Sequence, residues 1–144
     1  MLIIIIQSLV AALASGSFTL LYNATPVDAI LGGSIGGIGW FVYSITIGYG
    51  SIAASLISAL VIGLTGRFLS RIRHIPSQPL ITGGIVVLVP GFIAFKAMNL
   101  FIIGNASQGT VLMLNAFLIA ASIGTGLIVA VAITSIIFRI IGKK

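Results

Sequence analysis

With 144 residues, 59% hydrophobic and 6% charged, the chain is too poor in charge to clothe a soluble domain, where about 25% is usual. Seven Lys or Arg against a single acid, Asp28, give a net charge of +6, but no basic run is interleaved with aromatics, which sets a nucleic-acid partner aside. The absence of cysteine removes disulfides, thiolate nucleophiles and Cys-ligated metal sites.

Five segments reach the ~20 mainly apolar residues that a membrane crossing needs. The expected fold class is therefore an all-α integral membrane protein of about five transmembrane helices, forming one transmembrane domain over 1–144, with the lipid bilayer as its solvent. The first span covers residues 2–22. It lacks the basic start of a cleaved leader, and its apolar run continues to Tyr22, so it reads as a helix that stays. Ser8, Ala12 and Gly16 recur every fourth position along it. A loop with Asn23, Pro26 and Asp28 follows, expected on the cytoplasmic side.

The second span, 30–47, carries two overlapping GxxxG pairs, Gly32 with Gly36 and Gly33 with Gly37. Small residues at this spacing let helix backbones approach closely in lipid. Trp40 and Tyr43 are expected as interfacial anchors. The third span, 51–69, sets Ser51, Ser55, Ala59 and Gly63 on one face and leads into Arg67, Arg71 and Arg73. His74 is the only histidine and has no companion ligands, so no metal is expected.

The fourth span, 80–103, holds Pro90-Gly91 near its middle. Proline deletes a helical hydrogen bond and clashes with the preceding turn. Two readings follow: a plain kink, or a discontinuous helix whose half-helix end faces a midplane site, as in transporters. Lys96, one to two turns on, is a candidate for an anionic substrate, or else it snorkels outward. Phe95 falls about one turn past Gly91 and should share its face. The last span, 110–141, would be about 48 Å long as one helix against a hydrocarbon core of about 30 Å. It must tilt, extend beyond the membrane, or break near Gly124 and Gly126. Ala116, Ala120 and Gly124 form its small-residue stripe, and Asn115 is a weaker candidate beside the substrate path.

Basic residues gather at two helix ends, Arg67–Arg73 and Arg139 with Lys143 and Lys144. These ends are two crossings apart and so share a face. That face is expected to be cytoplasmic, putting the N-terminus outside and the C-terminus inside. Asp28 then lies beside the Arg67–Arg73 cluster and is expected to pair with it. With one acid, one histidine and no cysteine, no catalytic constellation is visible, and no cofactor is expected.

Three stretches carry a family resemblance: Gly16-Ser17-Phe18-Thr19-Leu20-Leu21-Tyr22-Asn23, Leu31-Gly32-Gly33-Ser34-Ile35-Gly36, and Val89-Pro90-Gly91-Phe92-Ile93-Ala94-Phe95-Lys96-Ala97-Met98. Their order and spacing resemble the small membrane subunit of the threonine/serine exporter family. Tyr22-Asn23 with Pro26, and Pro90-Gly91 with Phe95, correspond to that family's motifs. The resemblance gives no role to Lys96 or Asp28. It implies a subunit of a secondary transporter in a prokaryotic plasma membrane. Such a subunit would work with a larger partner subunit, in a hetero- or homo-oligomer, to export small amino acids (threonine, serine) or small dicarboxylates, coupled to the proton gradient. Pro90, Gly91, Phe95, Lys96 and Asn115 are then the expected residues of the substrate path. The alternatives are an assembly subunit whose partner carries the site, and a self-associating channel.

Overall fold

The computed structural model describes residues 1–141, and every regular element among them is helical. Lys143 and Lys144, part of the second basic end, lie outside the described residues. In chain order the helices are α1 (Leu2–Leu21), α2 (Pro26–Thr46), α3 (Ser51–Arg73), α4 (Ser77–Ile85), α5 (Gly91–Ile102) and α6 (Ala106–Ile141). Short 3-10 turns extend α2 (Ile47–Tyr49) and α4 (Val86–Leu88).

α2 begins four residues before its expected start. Thr25 is its N-cap: the Thr25 hydroxyl accepts from the Asp28 amide at 3.3 Å and donates to the Asp28 carboxylate at 2.7 Å. Pro26 occupies the first helical turn, where its missing N–H costs nothing. Pro26 and Asp28 therefore belong to the helix, and only Asn23 of the three expected loop residues remains in the connection, at φ 57°. α3 runs on to Arg73. It stops where His74 turns left-handed and the Ile75 amide reaches back to the Ser70 carbonyl at 3.1 Å. Asn105 caps α6 by accepting from the Gln108 amide at 3.3 Å.

α6 is one unbroken 36-residue helix, passing through Gly124 and Gly126 without interruption. At 1.5 Å per residue it is about 54 Å long, well beyond the hydrocarbon thickness, so extension or tilt and not a break resolves the excess.

α1 and α2 form an antiparallel pair at backbone contact distance. A Cβ on Gly33 would stand 2.7 Å from the Ala12 carbonyl oxygen, and one on Gly37 would stand 3.1 Å from that of Ser8. Gly32 and Gly36 accommodate the side chains of Thr19 and Ser15. Gly36 also sits beneath the Gly84 carbonyl of α4, so the doubled motif serves two neighbours. The α3 face behaves as its spacing suggests: Ala59 is buried, and Gly63 packs on Ala130. On α6 the expected stripe is displaced. Ala120 is exposed and Gly124 faces open space, while the buried line is Ala116, Ile119, Ile123, Gly126, Ala130 and Thr134. Large side chains fill the centre of this bundle, and the small residue that matters is Gly126, where a Cβ would lie 2.5 Å from the Leu56 carbonyl.

These contacts fix the path of the fourth crossing. Gly126 meets Leu56, Gly63 meets Ala130, and Phe68 stacks edge-on with Phe138, so position increases together along α3 and α6. The two helices are parallel. For α6 to begin on the face where α3 begins, α4 and α5 must together carry the chain across, and they do so with a 49° bend. The core common to these helices is Ile35, Ala59, Ile62, Leu80, Leu88, Ile119 and Ile123.

Candidate functional site

Irregular backbone at membrane depth survives only where protein or a cavity surrounds it. Here the irregularity is local and defined. Val89 is extended, Pro90 has φ −77° and ψ 46°, and the Gly91 amide folds back onto the Val89 carbonyl at 2.8 Å. α5 then starts afresh, its first full helical bond running from the Ala94 amide to the Pro90 carbonyl at 3.0 Å. The amides of Phe92 and Ile93 have no carbonyl one turn back to bond to, and they leave partial positive charge at this end of α5.

Beside the break lies a cavity of about 160 Å³, lined by Trp40, Tyr43, Val87, Leu88, Val89, Pro90, Ile93 and Ile119. α2 supplies Trp40 and Tyr43, whose rings lie 5.4 Å apart. The turn after α4 supplies the floor, α5 the side and α6 the back wall. Trp40 is about 21 Å along α2 from Pro26, and Leu88 about 17 Å along from Ser77, at 1.5 Å per residue. In a core about 30 Å thick the break therefore lies near mid-depth, with Trp40 roughly two-thirds of the way across from the face where α2 and α4 begin. The Trp40 Nε1 is buried and has no hydrogen-bond partner. A buried donor left unpaired is costly, and it is a ready contact for an oxygen-bearing solute.

Of the residues expected on the substrate path, Pro90 lines this cavity. Gly91 and Phe95 are exposed on the outer side of α5, and nothing lies within 4 Å of a Cβ on Gly91. Lys96 is also exposed; it borders a separate cavity of about 330 Å³ with Leu100, Ser107, Gln108, Val111 and Leu112, near the α5–α6 connection. Asn115 is half-buried one turn before Ile119, on the same face of α6 but short of the cavity wall. Trp40 and Tyr43, expected as interfacial anchors, instead face inward to the break. Their position several residues inside the end of α2, one turn past a run of glycines that draws other helices close, was the signal for this.

A larger cavity, about 750 Å³, lies elsewhere, as an open groove between α1 and α2 floored by Ala12, Gly16 and Gly33. Its walls are aliphatic, it contains no charged group, and it opens where lipid would be. Asp28 is 5% exposed, and its carboxylate lies 3.7 Å from the Arg73 guanidinium at the other end of α2, far from the break.

Compared with known families, residues 7–133 match the family described as Threonine/Serine exporter, ThrE. No curated protein and no solved structure matches the chain.

Proposed function

The chain belongs to the threonine/serine exporter family, and from that membership we propose that it is the small membrane subunit of a secondary transporter. It exports small amino acids such as threonine and serine, or small dicarboxylates, together with a larger partner subunit. It lies in a prokaryotic plasma membrane with its N-terminus outside and its C-terminus cytoplasmic, as the Arg67–Arg73 end directs. The observation that carries the reading is the mid-membrane break at Val89–Pro90, opening on a cavity with an unpaired indole N–H. At about 160 Å³ that cavity is smaller than the ~300–1,000 Å³ of drug-sized sites, and suits a solute of a few heavy atoms. A substrate carboxylate would be received by the Phe92 and Ile93 amides and Trp40 Nε1, with its aliphatic part against Leu88 and Ile119.

Only Tyr43 among the lining residues carries a titratable group. Asp28, the sole acid, is held by Arg73 at the membrane face. Proton coupling, on this reading, is carried by the partner. The same observation favours a second reading, in which this chain only supports a partner that holds the whole site. Export of labelled threonine and succinate decides between them, measured from cells expressing this chain with its partner, as wild type and as Trp40→Phe. A lower export rate or an altered threonine-to-succinate ratio at equal protein level supports a site in this chain. An identical profile places the site in the partner.

A further inference from the structure

A polar cavity lies at the membrane face, where α3 ends, α4 begins and α6 passes. It is about 130 Å³ in volume and lined by Arg67, Ser70, Arg71, Ser77 and Phe138. Two of these five residues are guanidinium-bearing, and no carboxylate side chain is available to them. The only acid of the chain, Asp28, is engaged by Arg73. The Nε of Arg67 is buried with no hydrogen-bond partner. The Arg71 guanidinium is held 4.4 Å from the centroid of the Phe138 ring, and that ring is steadied by an edge-on contact with Phe68. The Ser70 hydroxyl is occupied by the Ile75 carbonyl, which leaves the Ser77 hydroxyl. Ser77 opens α4, and the N-cap of that helix, Pro76, offers no side-chain hydrogen bond, so the Ser77 and Gln78 amides have no cap, and Pro79 after them has no N–H.

We propose that this cavity binds the phosphate of an anionic phospholipid headgroup. Two Arg forks, a hydroxyl and an uncapped helix start form an arrangement that favours a tetrahedral oxyanion, because guanidinium groups bond phosphate oxygens in pairs and helix N-termini add positive charge. The lipid source follows from position. The cavity sits in the last turns of α3, beside the opening of α4, on the membrane face that also carries Arg73 and Arg139. A headgroup phosphate lies at that level. The bound phosphodiester, with one negative charge, would offset one of the two guanidinium charges of Arg67 and Arg71 and tie the α3–α4 connection to α6.

The test uses the full chain reconstituted in phosphatidylcholine nanodiscs, with and without phosphatidylglycerol. Lipid retained on the protein is read by native mass spectrometry, and thermal midpoint by unfolding. Wild type should retain phosphatidylglycerol in preference to phosphatidylcholine and gain thermal stability from it. Arg67→Gln should weaken that preference about tenfold, the loss expected for one charge-assisted contact. Arg67→Lys keeps the charge without the fork and should recover only part of it, while Arg139→Gln should leave it unchanged. Equal retention of the two lipids by wild type, a measurement that needs no variant, overturns the proposal. So does an Arg139→Gln effect as large as that of Arg67→Gln, which marks a diffuse surface attraction. Inorganic phosphate and succinate are added separately in pure phosphatidylcholine. Stabilisation by phosphate with no lipid preference overturns the headgroup assignment in favour of soluble phosphate. Stabilisation by succinate alone overturns phosphate altogether.

Discussion

The indole N–H of a cavity-lining tryptophan and a carboxylate at a helix start are both polar groups in an apolar setting, and they differ in the partners they keep. Trp40 Nε1 is buried and unpaired, which costs the substrate-free protein about 1–3 kcal/mol. Trp40→Phe removes that cost while keeping most of the ring. Thermal unfolding in detergent should therefore show an unchanged or slightly raised midpoint, while export falls by about tenfold, the equivalent of one lost hydrogen bond of ~1.4 kcal/mol. A lowered midpoint with normal export would mean that Nε1 serves packing only. Asp28 is half satisfied, by contrast: one carboxylate oxygen accepts from the Thr25 hydroxyl at 2.7 Å, while the other is buried without a hydrogen bond and has only the Arg73 charge at 3.7 Å. Arg73 is nearly half exposed, so the ion pair is worth only about 0.5–1 kcal/mol. Asp28→Asn keeps an acceptor for Thr25 and should cost no more than that. Asp28→Ala also loses the cap interaction and should cost about 1–2 kcal/mol in total. In neither variant should the pH profile of export move; a shifted profile at normal protein level would make Asp28 a proton carrier.

At the scale of elements, glycines with the same sequence signature do different jobs. Gly33 and Gly36 sit where another backbone or side chain already occupies the Cβ position, at Ala12 and Ser15. Gly33→Leu should separate α1 from α2 and cost about 3 kcal/mol or more, measured as loss of folded protein after detergent extraction. Gly124 faces open space in mid-helix, so Gly124→Ala should stabilise by about 0.5–1 kcal/mol. Gly91 is open too, and Gly91→Leu should leave the fold intact. Spacing in the sequence marked the α1–α2 and α3 contacts correctly, because a residue pair four apart always shares a helix face. On α6 the same rule failed. Small residues recur all round that helix, and only the position of α3 decides which line is buried. The break was legible from Pro90 because proline acts on its own backbone. The cavity beside it was not, since Trp40, Tyr43 and Ile119 reach it from helices whose rotation no local pattern fixes. Helix starts were read late at Pro26 for a simpler reason: hydropathy registers the apolar run and is blind to the Thr25 cap that precedes it.

The whole molecule turns on whether the bent α4–α5 pair crosses the membrane or returns to the face it came from. Length and hydropathy allow either four crossings or five. The parallel register of α3 against α6, with Leu56 near Gly126 and Phe68 against Phe138, admits only five. A returning pair would start α6 on the basic face and make it antiparallel to α3. The absence of native cysteine makes the test clean, because each single-cysteine variant reports one site. Tyr49→Cys, before α3, and Gln108→Cys, at the start of α6, are at exposed positions on one predicted face, and Gln78→Cys, at the start of α4, is at an exposed position on the other. In intact cells a membrane-impermeant maleimide should label Tyr49→Cys and Gln108→Cys and spare Gln78→Cys until the membrane is opened. Labelling of Gln78→Cys alone would keep five crossings and reverse the orientation, against the basic residues at the end of α3. Labelling of Tyr49→Cys without Gln108→Cys would show that α4 and α5 return to their own side. In that case the cavity at Val89–Pro90 would lie at the tip of a re-entrant hairpin, reachable from one face only.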